Sequence, residues 1–347
     1  MIKHFPYILL DRQQIKRQIN RLAASGTPFL FIIDYKAEHG YVIRHDEMDE
    51  RFIRFKFPST RQPNNQTSNL PINHLATQPI NHPTTEPISW QVNPLTLEDY
   101  QPKFDYVQAQ IRLGNSFLAN LTQPTEVQTN LSLIDLYELG SAKYKLWLDG
   151  QFTVLSPETF VRIDGQMISS FPMKGTIDAS IPNAEEIILN DPKEKAEHAT
   201  IVDLIRNDLS LVATEVDVKR YRYIDKLTTN KQDLLQVSSE ISGRLPENFP
   251  DRLGDILFAL LPAGSICGAP KQKTLEIIEH AEGYKRDFYT GICGWFDGEN
   301  LDSAVMIRFA EQHDDKLVFK SGGGITAQSE MIKEYEELIQ KVYVPVF

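Results

Sequence analysis

The chain has only two cysteines, Cys267 and Cys293, in 347 residues. That excludes a disulfide framework and fits a reducing, cytoplasmic compartment. It has no long apolar run either. The longest, Phe29 to Ile33 and Ile256 to Leu261, fall far short of the ~20 residues of a membrane-spanning helix, so no membrane role is expected. The opening residues MIKHFPYILLDRQQIKRQ lack the apolar stretch and cleavage site of a secretory leader. Positive charge is scarce as well: 36 Lys and Arg stand against 47 Asp and Glu, a net charge of -11. Such a chain has no general positive field with which to bind a phosphate backbone, so nucleic acid is not an expected partner. A hydrophobic content of 41% is ordinary for a globular protein. At about 100–200 residues per domain, the length allows one large domain or two ordinary ones.

Local patterns divide the chain into three. Residues 1–57 read as a helix (Asp11 to Leu22) and strands (Phe29 to Ile33, Tyr41 to Ile43, Phe52 to Phe57) that pack on a core. Residues 58–95 read as a polar linker or loop. Between Pro58 and Ser89 the text is rich in Asn, Gln, Thr and Pro, and a Pro-Ile-Asn/Ser triplet recurs at Pro71, Pro79 and Pro87. That spacing is too short for a solenoid repeat, and the composition cannot bury enough apolar surface to offset ordering. Residues 96–347 show no second break. Asp191-Pro192 has the form of an N-cap followed by proline at the first helical position, opening a helix to about Asp208. Strands are expected at Tyr289 to Phe296, Ser303 to Phe309 and Lys316 to Ser321, and a last helix at about Glu330 to Val342. The mixture predicts one large α/β or α+β domain.

Several groups could do chemistry. Glu334 and Glu337 share a helix face, as do Glu194 and Glu197. Ser321-Gly322-Gly323-Gly324 reads as a turn whose backbone N–H groups can approach an anion. Carboxylates beside such a turn suit Mg²⁺ shared with an anionic substrate, although Glu337 could equally pair with Lys341 one turn on. Glu194 stands at the third helical position and could reach back to the cap in a capping box, which leaves Glu197 as the better ligand. Lys174 precedes Gly175-Thr176 after an apolar strand. In a dry site near a divalent cation its ammonium would be lowered and the amine a nucleophile or base, whereas an isolated turn lysine is ordinarily surface. Ser265-Ile266-Cys267-Gly268-Ala269-Pro270-Lys271 runs into a helix N-terminus. It is neither a P-loop nor, with no histidine placed to mark it, a cysteine nucleophile elbow.

In this order, FPMKGT (171–176), EKAEHATIVDLIRNDLSLVA (194–213), PAGSICGAPKQKTLEII (262–278), DFYTGICGWF (287–296), DSAVMIRF (302–309) and SGGGITAQSEMIKEYEE (321–337) resemble the chorismate-utilising enzymes from about Leu97 to the end of the chain. The resemblance implies one large chorismate-binding domain of two packed β-sheets with outer helices and the site between them. Within the family the chain resembles aminodeoxychorismate synthase component I. The position of Lys174 is usually alanine in anthranilate synthases, and Leu118 stands where water-using members carry a lysine. Gln236 replaces a family histidine, and a glutamine cannot take up a proton at neutral pH. The segment before Leu97 is shorter than in members with a tryptophan site and lacks their usual motif.

The resemblance implies roles for individual residues. Glu197, Glu334 and Glu337 hold Mg²⁺, with Glu194 behind them. Lys174 is a covalent nucleophile and Glu158 a general acid. Gly175, Thr176, Ser265, Tyr289, Arg308 and Gly322, Gly323 and Gly324 contact the substrate. The implied reaction aminates chorismate at C4, giving 4-amino-4-deoxychorismate, a precursor of 4-aminobenzoate and folate. Neither cysteine has a glutaminase context, so ammonia is expected from a separate glutaminase subunit, and no fused lyase is expected. The alternatives are anthranilate synthase component I and a non-catalytic chorismate-binding subunit.

Overall fold

Phe29–Ile33 is buried at all five positions, because it has protein on both faces. Phe29, Phe31 and Ile33 share a core with Ile15, Ile19 and Leu22 of the helix Arg12–Ala24. Leu30 and Ile32 share a second core with Leu146, Leu148 and Phe152 of a different sheet. A strand with one wet face would alternate in polarity instead. The computed structural model describes residues 5–59, 87–228, 233–313 and 316–343.

Two antiparallel sheets pack face to face, with helices outside. The ten-stranded sheet runs Leu10–Asp11, His39–Arg44, Phe29–Ile33, Ile292–Phe296, Leu301–Val305, Thr159–Asp164, Met167–Ser170 and Asp233–Arg244, which pairs with both Met173–Asp178 and Thr214–Thr228. The eight-stranded sheet runs Gly268–Ala269, Leu118–Thr129, Lys316–Ile325, Phe309–His313, Phe152–Ser156, Tyr144–Leu148 and Ile53–Lys56. Trp90–Asn93, inside the stretch read as linker, pairs with Leu118–Thr129. The Pro71 and Pro79 triplets lie outside the described residues. Among the described residues no helix is long and apolar enough to cross a membrane.

The structure corrects the sequence reading at three strands. Tyr289 to Gly291 forms a turn and the strand starts at Ile292. The expected strand Ser303 to Phe309 is split between the two sheets, as Leu301–Val305 and Phe309–His313. Gly322 to Gly324 is not a turn. It continues the strand Lys316–Ile325 and pairs with Thr122, Leu121 and Asn120. Side-chain-free residues gave no alternation to read.

Gly294 lies opposite Phe31 in the ladder, and a Cβ there would come 2.3 Å from Phe31 Cζ. Gly294→Ala should therefore cost about 1–3 kcal/mol of stability through overpacking, read from the urea midpoint. An unchanged midpoint would show that the two cores are looser than this packing implies.

Candidate active site

Glu158 and Arg308 sit where the chain changes sheets. Glu158 lies between Phe152–Ser156 in one sheet and Thr159–Asp164 in the other; Arg308 lies between Leu301–Val305 and Phe309–His313. The crossings are tied to each other: Val305 N–H donates to Glu158 O at 3.1 Å, and Leu155 N–H to Arg308 O at 3.1 Å. Arg308 has φ +52°, a left-handed conformation unfavourable to a non-glycine residue and held here by the paired crossings. Ser265 Oγ donates to Glu158 Oε1 at 2.5 Å. Burial pushes the Glu158 carboxyl up; Ser265, Arg308, Lys174 and Lys341 oppose that only in part. A carboxyl so raised suits a proton donor. Ser265, expected to contact substrate, is thus bound to the acid.

Lys174 projects from a bulge. The pairing of Met173–Asp178 with Asp233–Arg244 shifts register between Met173 and Thr176, and Gly175 takes φ +80°, which glycine adopts without strain. Lys174 Nζ lies 2.6 Å from Glu197 Oε2 and 3.5 Å from where a Cβ of Gly324 would stand. Burial alone would lower this ammonium, but the Glu197 carboxylate and its hydrogen bond, then Glu194 and Glu337, outweigh burial and hold it above the ordinary lysine. The nearest charge to Lys174 is thus an anion, whereas the expectation of a lowered ammonium assumes a divalent cation beside it.

The helices Pro192–Ser210 and Met331–Gln340 bring the glutamates together with three lysines. Lys193 Nζ stands 3.8 Å from Glu197 and 4.0 Å from Glu334. Lys341 Nζ bonds Glu337 at 2.6 Å and Gly322 O at 2.9 Å. A Cβ on Gly323 would stand 3.5 Å from Glu334 Oε2 and 3.6 Å from Glu337 Oε1. Burial, then repulsion from Glu337 and Glu197, raises the Glu334 carboxyl against the Ser329 hydrogen bond. Among the described residues no three acidic, histidine or cysteine side chains form a ready cation cage. The donors are nevertheless hard oxygens that repel one another, which suits Mg²⁺. Lys193 and Lys341 hold positions for which a cation would compete.

Glu194 corrects the capping expectation. Its backbone N–H is capped by Asp191 at 2.8 Å. Its carboxylate turns away, with Oε2 buried and unpartnered and 2.8 Å from the Cβ position of Gly175. Tyr289 is buried against Phe309, and Arg308 lies over the ring of Tyr343 at 5.2 Å. Thr176 is exposed and faces Gln236 across the ladder; Gln236 Oε1 is buried without a partner. Leu118 Cδ1 lies 2.9 Å from the Cβ position of Gly324, so an apolar side chain stands close to Lys174. Cys267 is packed away and burial raises its thiol to about 11, which removes it as a nucleophile.

Sequence reasoning missed His198 and Lys193. His198 is fully buried, its Nε2 2.7 Å from Ser239 Oγ, and burial, then Arg222 and Lys174, lowers it to about 4, so it is neutral. Its signal was its place beside Glu197 on a buried helix face. Lys193 could have been found from its i,i+4 spacing to Glu197.

Because Gly323 has space for a methyl at van der Waals distance but faces both glutamates, Gly323→Ala should fold normally and lose about tenfold or more in kcat/KM. Equal loss of thermal stability and activity would make the position structural.

Comparison with known proteins gives a consistent picture. A family model described as chorismate binding enzyme matches residues 12–346. An uncharacterised PabA-like protein of Haemophilus influenzae is 46% identical over 96% of this chain and 97% of its own length. Aminodeoxychorismate synthase component 1 of Escherichia coli and anthranilate synthase component 1 of Pseudomonas putida are each 32% identical, over 73% and 71% of this chain. The alignments span 58% and 52% of those two relatives' own lengths. The crystal structure of anthranilate synthase component I from Streptococcus pneumoniae TIGR4 superposes with a TM-score of 0.69 at 20% identity, over 96% of this chain and 85% of that one, so the fold is shared. With the family model spanning nearly the whole chain and the two-sheet fold in agreement, this protein belongs to the chorismate-binding enzymes.

Proposed function

We propose that the chain aminates chorismate at C4 to 4-amino-4-deoxychorismate, with ammonia supplied by a separate glutaminase subunit. The observation that carries this reading is Lys174: an amine on a glycine-relaxed bulge, 2.6 Å from Glu197 and beside the open strand at Gly324. Glu197 Oε2, already hydrogen-bonded to the ammonium, stands to take its proton. Lys174 Nζ then bonds ring C2 while the C4 hydroxyl leaves, protonated by Glu158. Arg308 offers a guanidinium to the enolpyruvyl carboxylate, and the backbone N–H groups of Gly175 and Thr176 hold substrate oxygens. Ammonia adds at C4 as the C2–Nζ bond breaks. Mg²⁺ at Glu197, Glu334 and Glu337 would supply charge neutralisation for the substrate's ring carboxylate.

Anthranilate synthesis is the second reading, favoured by the equal 32% identity to an anthranilate synthase component 1. The shared fold hosts either chemistry. Incubation with chorismate, ammonium and Mg²⁺ separates them. The proposal expects a product that yields 4-aminobenzoate only after a lyase is added. Direct appearance of fluorescent anthranilate would sink it.

A further inference from the structure

Beside Glu158 lies a cavity of about 20 Å³ to which the mechanism so far gives no use. That is space for one water-sized molecule. Its walls come from several elements: Glu158 and Val161 near the sheet crossing, Ile205, Asp208 and Leu209 from the helix Pro192–Ser210, and Ala263 and Ser265 at the start of the short helix Gly264–Cys267. The IVDLIRNDL segment, otherwise unassigned, lines this cavity, and Lys271 of the GAPK segment reaches Asp208 in its wall. Asp208 is held by Lys271 at 2.7 Å, and Lys271 also bonds Leu260 O at 2.9 Å.

Most polar groups in the walls are already committed. Asp208 is paired with Lys271, and Ser265 Oγ donates to Glu158 Oε1. Glu158 itself lines the cavity, with Ser265 bonded to its Oε1. The remaining lining is largely apolar, so an ion would lose its hydration there for little return, whereas a small neutral molecule with one hydrogen bond to Glu158 would not. The reaction proposed above needs such a molecule, and needs it at C4, the carbon whose leaving hydroxyl Glu158 protonates.

We propose that this cavity is the holding site for the incoming neutral nucleophile, ammonia, beside the carboxyl group that serves C4; the assignment rests on the C4-amination reading. Its chemistry closes. Glu158 gives its proton to the departing hydroxyl, which leaves as water. Ammonia moves from the cavity and its nitrogen lone pair bonds C4. The ring electrons shift, the C2–Nζ bond breaks, and the electron pair returns to Lys174. One proton of the new C4 ammonium passes to the Glu158 carboxylate, restoring the acid for the next turnover.

The test narrows the cavity without touching Glu158 or Ser265. Ala263→Val and, independently, Val161→Ile each add methyl groups to its lining, with folding checked by thermal unfolding. The expected result is a rise of about tenfold or more in the KM for ammonium. The KM for chorismate, and the ammonia-free formation of the Lys174 adduct, should stay within about twofold of the parent. An unchanged ammonium KM in either folded variant overturns the holding site. So does an equal rise in the chorismate KM, which would make the cavity part of the ring site. A parent chain that forms no aminated product overturns the reading and the cavity together, while a parent that aminates beside variants that do so unaltered overturns the cavity alone.

Discussion

Lys174→Ala should lose at least about a hundredfold in turnover, since on the proposed mechanism it removes the group that bonds C2. Glu197 keeps Lys193 as a partner at 3.8 Å, so the helix Pro192–Ser210 should hold its place and the variant should melt close to the parent. Lys174→Met, which retains the length of the side chain, should behave alike. Steady-state amination with ammonium, set beside a thermal melt of each variant, checks the prediction. Undiminished turnover in both would remove the covalent role, because a lysine serving only as a counter-ion to Glu197 is dispensable to the chemistry.

Glu337→Gln should weaken Mg²⁺ binding by roughly 10–100-fold. Burial opposes the Glu337 charge, but Lys341, then Lys174 and Lys193, outweigh burial and keep the carboxyl below its usual range. It is therefore ionised and available to a cation at neutral pH. The amide keeps the shape and removes the charge. It also leaves Lys341, whose ammonium burial already lowers, without its carboxylate partner. Calorimetric titration of Mg²⁺ into the chain measures the change apart from catalysis. If the affinity does not move, Glu337 is only the partner of Lys341.

Much of this arrangement was legible because short-range rules carry it. The apolar run at Phe29–Ile33 announces a doubly covered strand, and Asp191-Pro192 announces a helix start that the structure places at Pro192. Spacing put Glu334 and Glu337 on one helix face, and their common approach to Gly323 follows from it. Charge pairing was harder to read. The protonation preference of Lys174 depends on Glu197, 23 residues away in sequence but 2.6 Å in space, so no local pattern could show that an anion rather than a cation lies nearest. The strand at Gly322 to Gly324 was hidden for a different reason: three residues without side chains show neither alternation nor β-propensity, and their conformation is set by the partner strand Leu118–Thr129. The sheet crossing at Arg308 was also invisible, because a strand that continues into another sheet looks like one long strand; nor does a break in the pattern at Glu158 tell which sheets its flanking strands join. Those crossings are what bring the carboxyl and the guanidinium to one seam.

The most direct test of the central claim is the intact mass of the chain after incubation with chorismate and Mg²⁺ in the absence of ammonia, followed by peptide mapping. The account predicts an adduct of chorismate less one water on the peptide containing Lys174, discharged when ammonium is added. An unmodified Lys174, together with steady conversion of chorismate once ammonium is present, would contradict it.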